Sequence, residues 1–445
     1  MQDPEFQTEQ GFPGSASKGR HSLRNLPRNV WVVTITSFFN DISSEMLLNL
    51  MPLFLFNVLG VRTSVIGLIE GIAETTASLV KIVSGWISDR IRKRKALAVC
   101  GYALSTLAKP FLYFASSWGA VLGVRFADRM GKGLRTAPRD ALVADTIEKR
   151  QRGLAFGLHR AGDTAGAVLG LLIALVVVLT AQRETTVLSR STFQTVVLLS
   201  LIPAALAVGI LAAGAKDVAI HRQQELADLP EDSPQETVVR SRDDRSGFGR
   251  PFRYFLGIVV LFTLGNSSDA FLVLRAQTAG LTVGGLLGML ITFNLVYALI
   301  STPAGALSDR VGRHRLLIGG WVFYALVYLG FSRAAEGWQA WGLMTAYGIY
   351  YGLTDGVAKA FVADLVPEER RGTAYGLYNA AIGLTALPAS FIAGLLWQGL
   401  GSWHGFGPGA PFLFGAVLAI VASAMLTLLP TSQQGHAENT NAERE

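Results

Sequence analysis

The chain of 445 residues is 50% hydrophobic and 16% charged, with 48 glycines and a mean hydropathy of +0.38; a soluble domain carries about 25% charged residues, so a soluble globular protein is excluded. Its formal charge of +7 and pI near 9.5 do not point to nucleic acid, because the bases cluster beside the ends of apolar windows, as membrane topology signals do. Cys100 is the only cysteine, which rules out an intrachain disulfide and predicts a small, packed apolar side chain.

In chain order, residues 1–27 open MQDPEFQTEQGFPGSASKGR, polar and without the apolar core of a signal peptide; they read as a disordered tail or vector remnant outside the fold. Apolar windows of the roughly 20 residues that a helix needs to cross a bilayer follow near 30–58, 64–88, 95–115, 118–142, 151–180 and 193–214, an N-terminal six-helix bundle over 28–214. Residues 215–250, largely KDVAIHRQQELADLPEDSPQETVVRSRDDRSGFGR, are too charged to enter lipid and read as a linker. A second set falls near 252–280, 283–308, 313–333, 337–363, 371–399 and 409–430, a C-terminal bundle over 251–430 before a disordered tail at 431–445. These windows are too long and too little alternating for barrel strands, and only helices satisfy their own backbone in hydrocarbon. The expected fold is an all-α polytopic membrane protein of 12 transmembrane helices in two pseudo-symmetric bundles.

Lysine and arginine set the orientation. HSLRNLPR, RIRKRK, IEKRQR, RSRDDRSGFGR, RVGRHR and EERR fall on one side, whereas VLGVRT, ASSW, QTAG and WQGLGSWHGFGPG on the other hold at most one base each. The basic side is expected to be cytoplasmic, with both termini and the linker inside a bacterial inner (plasma) membrane.

One stretch recurs. GWISDRIRKRK (85–95) matches GALSDRVGRHR (305–315), VADTIEKRQRGLAFGL (143–158) matches VADLVPEERRGTAYGL (362–377), and FNDISSE (39–45) matches GNSSDA (265–270). A duplicated helical bundle of this kind is expected of secondary transporters, whose halves rock about a midplane cavity. Gly85 and Gly305 are expected to permit close helix approach, and Asp89 and Asp309 to form a latch with Arg90 and Arg310 that is made in one conformation and broken in the other. Arg92, Lys93, Arg94 and Lys95 read as topology signals.

With that motif, the spans and the repeat, residues 28–430 resemble the major facilitator superfamily. Its signature between the second and third helices is glycine, a short spacer, Asp-Arg and a basic cluster, here Gly85, Asp89, Arg90, Arg92 and Lys93, echoed by Gly305, Asp309, Arg310, Gly312 and Arg313. The resemblance implies alternating access by a single polypeptide without ATP, with the first and seventh helices lining the cavity. Unlike drug:proton antiporters of that superfamily, the fifth span, GLHRAGDTAGAVLG, has no Gly-Pro pair, and Gly131 and Gly133 stand late after Arg125.

Ionisable residues inside spans are functional candidates, since a charge at the bilayer centre costs roughly 2.5–3.5 kcal/mol on insertion scales. On the first span Asp41 and Glu45 share a face at i, i+4 beside Asn40, Ser43 and Ser44; the seventh repeats the idea with Asn266, Ser267, Ser268 and Asp269. These acids read either as proton-responsive carboxylates or as neutralisers of a neighbouring base. Arg125, Asp128, Arg129 and Lys132 stripe one face of the fourth span, and Asp163, with His159 and Arg160, is their expected counter-ion. Pro138 predicts that this helix bends or ends there. Asp355 and Lys359, at i, i+4, read as an internal ion pair. Glu70 is placed near the outer mouth and Glu74 and Lys81 deeper; Lys109 is an isolated base, and Arg275 is expected to snorkel outward. The aromatics Phe38, Phe39, Phe293, Tyr297, Tyr350, Tyr351, Tyr375 and Tyr378 read as packing or as substrate-facing.

Bases and acids in the central layer roughly balance, which predicts a polar, mixed cavity for a small charged or zwitterionic solute, such as a drug, metabolite or metal chelate, or for an anion held by arginine. No HExxH, paired CxxC, GxxxxGK[ST] or nucleophile elbow is present in the sequence, so no enzyme, cofactor or resident metal site is expected; a transition metal as cargo would first meet Asp41, Glu45 and His159. The reading is a monomeric proton-coupled secondary transporter with export as its direction. Asp41, Glu45, Asp269, Asp128 and Asp163 serve the proton, and Arg125, Arg129, Lys132, His159, Asn40, Asn266, Asp355 and Lys359 the solute. Its rivals are a proton-coupled uptake symporter of an anionic solute and a non-transporting receptor or scaffold on the same fold.

Overall fold

The computed structural model describes residues 26–91, 93–147, 152–182, 185–217, 248–367 and 370–429. Almost all of the first tail, most of the linker and the whole second tail lie outside the described residues, and so do the side chains of Asp89 and Asp309.

Every described element is helical. The first half holds α1 (Arg28–Leu48), α2 (Thr63–Ile91), α3 (Arg94–Phe114), α4 (Trp118–Thr146), α5 (Arg152–Ala181) and α6 (Arg190–Gly214). The second holds α7 (Arg250–Thr278), α8 (Val283–Val311), α9 (Arg313–Arg333), α10 (Gly337–Asp364), α11 (Arg371–Gln398) and α12 (Ala410–Thr427). Among the described residues eight helices are long and apolar enough to cross a membrane: α3, α5, α6, α7, α8, α9, α11 and α12. The ionisable residues of the site concentrate on the other four, α1, α2, α4 and α10. Large apolar side chains such as Ile82, Val83, Val176, Ile202, Leu299 and Leu326 lie exposed around the outside, far more than a soluble monomer leaves uncovered and as hydrocarbon requires.

Side chains close the loops at the end opposite the basic clusters. Ser117, Ser189 and Thr282 each accept a backbone N–H at the start of α4, α6 and α8, at 3.3, 3.1 and 3.1 Å, so these orphan donors are satisfied without water. At the basic end α8 passes into α9 through Gly312 alone, at φ +96°, a left-handed conformation that glycine tolerates and L side chains resist. Glycines also set the packing of α5 on α1: a Cβ at Gly166 would press into the Phe38 carbonyl oxygen, and one at Gly170 would stand 2.5 Å from that of Ile42. Small residues four apart thus let the two backbones touch.

Four expectations are corrected here. The first span does not run unbroken to residue 58, because α1 gives way to a short turn at Met51–Leu53 and a π-helical turn at Phe54–Val58. α7 is interrupted at residues 266–268, where Asn266 leaves helical geometry and Ser268 caps the outer half through the Ala270 N–H, a local side-chain-to-backbone bond that favours such a break. Of the two outcomes expected at Pro138, the helix does not end there: α4 continues to Thr146. Cys100 is exposed on α3 instead of packed.

Candidate functional site

Between the two halves lies a cavity of about 750 Å³. It reaches toward the basic end along Gly85 of α2, Ala137 of α4 and Gly376 of α11. At the opposite end the halves are bonded together. The Thr63 N–H donates to Gln398 Oε1 at 3.0 Å, Thr75 Oγ1 to the Gly383 carbonyl at 2.7 Å and the Val283 N–H to the Thr185 carbonyl at 2.9 Å. Small residues bring α2 and α11 to this contact; a Cβ on Gly71 would lie 2.7 Å from Leu387 Cα. At the basic end Arg94 meets Asp145 and, at 2.5 Å, Arg313 meets Asp364, each pair within one half.

The two walls of the cavity differ. The first half presents charge. Arg125 of α4 meets Glu70 of α2 at 2.5 Å with side chains only 5% and 6% exposed, and one turn along Arg129 meets Glu74 at 3.2 Å. The expected counter-ion, Asp163, is not their partner: acids four apart on α2 face bases four apart on α4, and packing of these two helices along their lengths puts the pairs in register. Glu70 is therefore a buried partner and not a residue of the outer mouth. Behind this wall a smaller void of about 90 Å³ is lined by Asn40, Asp41, Glu45, Lys109, Asp128 and Lys132 among others. There Asn40 Nδ2 donates to Asp41 at 3.0 Å, Asn49 Nδ2 to Glu45 at 2.9 Å and Lys109 Nζ to Ser43 Oγ at 2.5 Å. Glu45 lines both spaces. Lys109 is thus buried and bonded, not isolated.

The second half presents aromatic rings. Phe293 of α8 and Tyr351 of α10 line the cavity, together with Leu290 and Met344. Behind them, Tyr347 donates to Asp269 Oδ1 at 3.2 Å, while Tyr324 and Tyr328 both donate to Asn266 Oδ1 at 3.2 Å. Polar groups line both sides of the cavity, the second half adding Asn266, Ser267, Asp269, Asn294 and Asn379 around its rings, but bases lie on the first half only. Sequence reasoning missed Tyr324, Tyr328 and Tyr347; the signal was TAYGIYYG, whose tyrosines 347, 350 and 351 fall one turn apart on a helix.

Other candidates sit outside this cavity. His159 and Asp163 approach to 3.7 Å, with both ring nitrogens of His159 and Asp163 Oδ1 buried and without a hydrogen-bond partner. Asp355 and Lys359 form the expected pair at 3.0 Å, and Tyr297 adds a bond to Asp355 at 3.1 Å while accepting one from Arg160 at 2.6 Å. This chain crosses from one half to the other. Arg275 does not snorkel: it is buried and donates to the carbonyls of Phe331 at 2.8 Å and Ala334 at 2.6 Å, closing the last turn of α9. Of the latch, Arg90 is exposed with its guanidinium 5.4 Å from the Trp86 ring, and Arg310 is exposed. A Cβ at Gly85 would stand 3.5 Å from Ala137 Cβ and one at Gly305 would meet nothing within 4 Å. Close helix approach in this conformation therefore does not require either glycine.

The chain matches the model of the Major Facilitator Superfamily over residues 33–292 and 254–445. It is 35% identical over 418 residues to the uncharacterised MFS-type transporter MJ1317 of Methanocaldococcus jannaschii, covering 93% of this chain and 97% of that one. An uncharacterised Mycobacterium tuberculosis protein, Rv2265, is 24% identical over 348 residues, 76% of this chain and 80% of its own. Among solved structures, a point mutant of the nucleoside transporter NupG superposes with a TM-score of 0.73 at 11% identity, over 91% of this chain and 100% of that one. A D-xylose-proton symporter superposes at 0.70 and 15% identity, over 92% and 98%; likeness at such identities speaks to fold alone. The chain is a multi-pass membrane transporter and belongs to the Major Facilitator Superfamily.

Proposed function

We propose that this transporter is a proton-coupled secondary carrier that moves a small charged or zwitterionic solute across the bacterial inner membrane by alternating access, in the export direction. It does so with twelve spans in two pseudo-symmetric halves, as a monomer whose termini and linker are cytoplasmic. The observation that carries this reading is the cavity of about 750 Å³ between the halves, extended toward the basic end and bonded shut at the other. A solute that enters from the basic side reaches a wall where acids and bases already neutralise one another, so binding a solute charge or a proton redistributes partners instead of creating an uncompensated ion. Asp41, Glu45 and Asp128 around the small void, Asp163 beside His159, and Asp269 at the break of α7 are the carboxylates that take the proton. Arg125, Arg129, Lys132, His159, Asn40, Asn266, Asp355 and Lys359 complete the polar network through which the solute and the latch at Asp89, Arg90, Asp309 and Arg310 are coupled. Each ligand drives the exchange only by preferring one state of the carrier over the other.

Proteoliposomes holding the purified chain, a pH-sensitive dye and an imposed pH gradient test this. An exchanger accumulates solute when the lumen is acidic, and an uptake symporter when it is alkaline. Flux lost in both Asp41→Asn and Asp269→Asn supports the proton role. Absence of solute movement under either gradient across a broad panel of charged metabolites, chelates and antimicrobials would place the protein with non-transporting receptors.

A further inference from the structure

The cavity wall carries four acids, Glu45, Glu70, Glu74 and Asp269, against two bases, Lys81 and Arg129. Glu70 and Glu74 are held by Arg125 and Arg129, and Glu45 accepts from Asn49. Among the described residues Asp269, like Glu45, meets no cationic side chain, and it differs from all three in its aromatic surroundings. Its partner is the neutral Tyr347 hydroxyl, and the side chain opens into the cavity deep between the halves. The Tyr347 ring in turn lies 5.0 Å from that of Tyr351 and 5.8 Å from that of Phe293, centroid to centroid. One uncompensated carboxylate is thus set beside two cavity-facing π faces. Next to it Ser267, 6% exposed, lines the same cavity.

From this arrangement, and resting on the carrier reading above, we propose that the cavity is a site for an organic cation: a protonated aromatic amine or quaternary ammonium whose charge sits against Asp269 and whose apolar part lies on Phe293 and Tyr351. Carboxylate and aromatic faces attract a cation together, and both repel an anion. The arginines of the opposite wall each already meet a glutamate, which leaves Lys81 as the lining base that an anion could meet; the anionic probe tests it.

The test measures binding by the full chain in detergent, with no gradient. Its probes are phenyltrimethylammonium and, as an aromatic of similar size and opposite charge, benzenesulfonate. The cation is expected to raise the thermal unfolding temperature and to give a calorimetric isotherm, and the anion to do neither. Asp269→Asn should weaken the cation roughly ten- to a hundredfold, Asp269→Glu should retain most of the affinity, and Tyr351→Leu or Phe293→Leu should each weaken it roughly three- to thirtyfold. Benzenesulfonate binding as tightly as the cation, no cation binding at millimolar concentration, or undiminished affinity in a monodisperse Asp269→Asn protein overturns the proposal. If Asp269→Asn does not fold, the two aromatic variants decide it, and undiminished affinity in both is the contrary result. Because the readout is binding, it separates from the carrier reading: loss of gradient-driven flux with cation binding intact refutes coupling alone, and flux of another solute without cation binding refutes the cation site alone.

Discussion

The Arg125–Glu70 pair allows a sharp test of how the charged wall is built. Both side chains are nearly sealed from solvent, at 5% and 6% exposure, and they share one bond of 2.5 Å; Glu70 Oε1 and Arg125 Nε have no other partner. Glu70→Gln therefore leaves a guanidinium buried without a counter-charge, a change that costs about 3–5 kcal/mol for a buried pair. The Asp355–Lys359 pair of α10 is the control, because its side chains are 35% and 52% exposed. There Asp355→Asn should cost about 1 kcal/mol or less. The gap between the two variants, roughly 2 kcal/mol or more, reads in the midpoint of denaturant or thermal unfolding in detergent. Removing both charges in Glu70→Gln/Arg125→Gln should recover much of the loss, since no lone ion then remains. Equal stability of the Glu70→Gln and Asp355→Asn proteins, or a double variant no better than the single, would refute the reasoning.

Gly170→Ile drives a side chain into a site where even a Cβ would lie 2.5 Å from the Ile42 carbonyl; α1 and α5 must part, at about 1–3 kcal/mol, visible as a lower unfolding temperature. Arg275→Ala leaves the buried carbonyls of Phe331 and Ala334 unanswered and should cost about 1–3 kcal/mol in the same assay, while Arg275→Lys rescues only part because lysine cannot reproduce the planar fork. With Cys100 replaced by serine, cysteines at Thr63 and Gln398, which bond across the seam, should join rapidly through a short thiol-reactive crosslinker and abolish transport reversibly. Unaltered flux in the crosslinked protein would mean that α2 and α11 do not separate during the cycle.

Most helices were legible because each requires a sustained apolar window, and the Asp355–Lys359 pair because its spacing on one helix dictates contact. What stayed hidden depends on how helices meet. Glu70 and Glu74 stand at the same interval as Arg125 and Arg129, but spacing along two separate helices does not say that they face each other. Asp163 looked the better partner only because it too lies in a span. The break in α7 was written in Gly265, Asn266, Ser267 and Ser268, yet these residues also occur in continuous membrane helices, and the aligned segment of α1 remains helical. Arg275 is 56 residues from its main acceptor. Hydropathy marks it as costly to bury without showing which carbonyls offset the cost.

The seal between the halves is of a size that ligands can overcome, which matters if the carrier alternates. Among the described residues six hydrogen-bond donors cross at the closed end: the Thr63 N–H to Gln398 and its hydroxyl to Gly394, Thr75 to Gly383, Arg62 to Gly401, Gln277 to Thr186, and Val283 to Thr185. At about 0.5–1.5 kcal/mol net for each, they sum to roughly 3–9 kcal/mol. Moving a two-state equilibrium from 1:99 to 99:1 takes about 5.5 kcal/mol, within that range. Most of these bonds use a hydroxyl or carbonyl that water can serve once the end opens, and the ring of Phe271, packed on Gly67 across the seam, withdraws with its helix. Opening therefore exchanges these bonds and that apolar contact, while the strong buried charge pairs stay inside the first half and move with it.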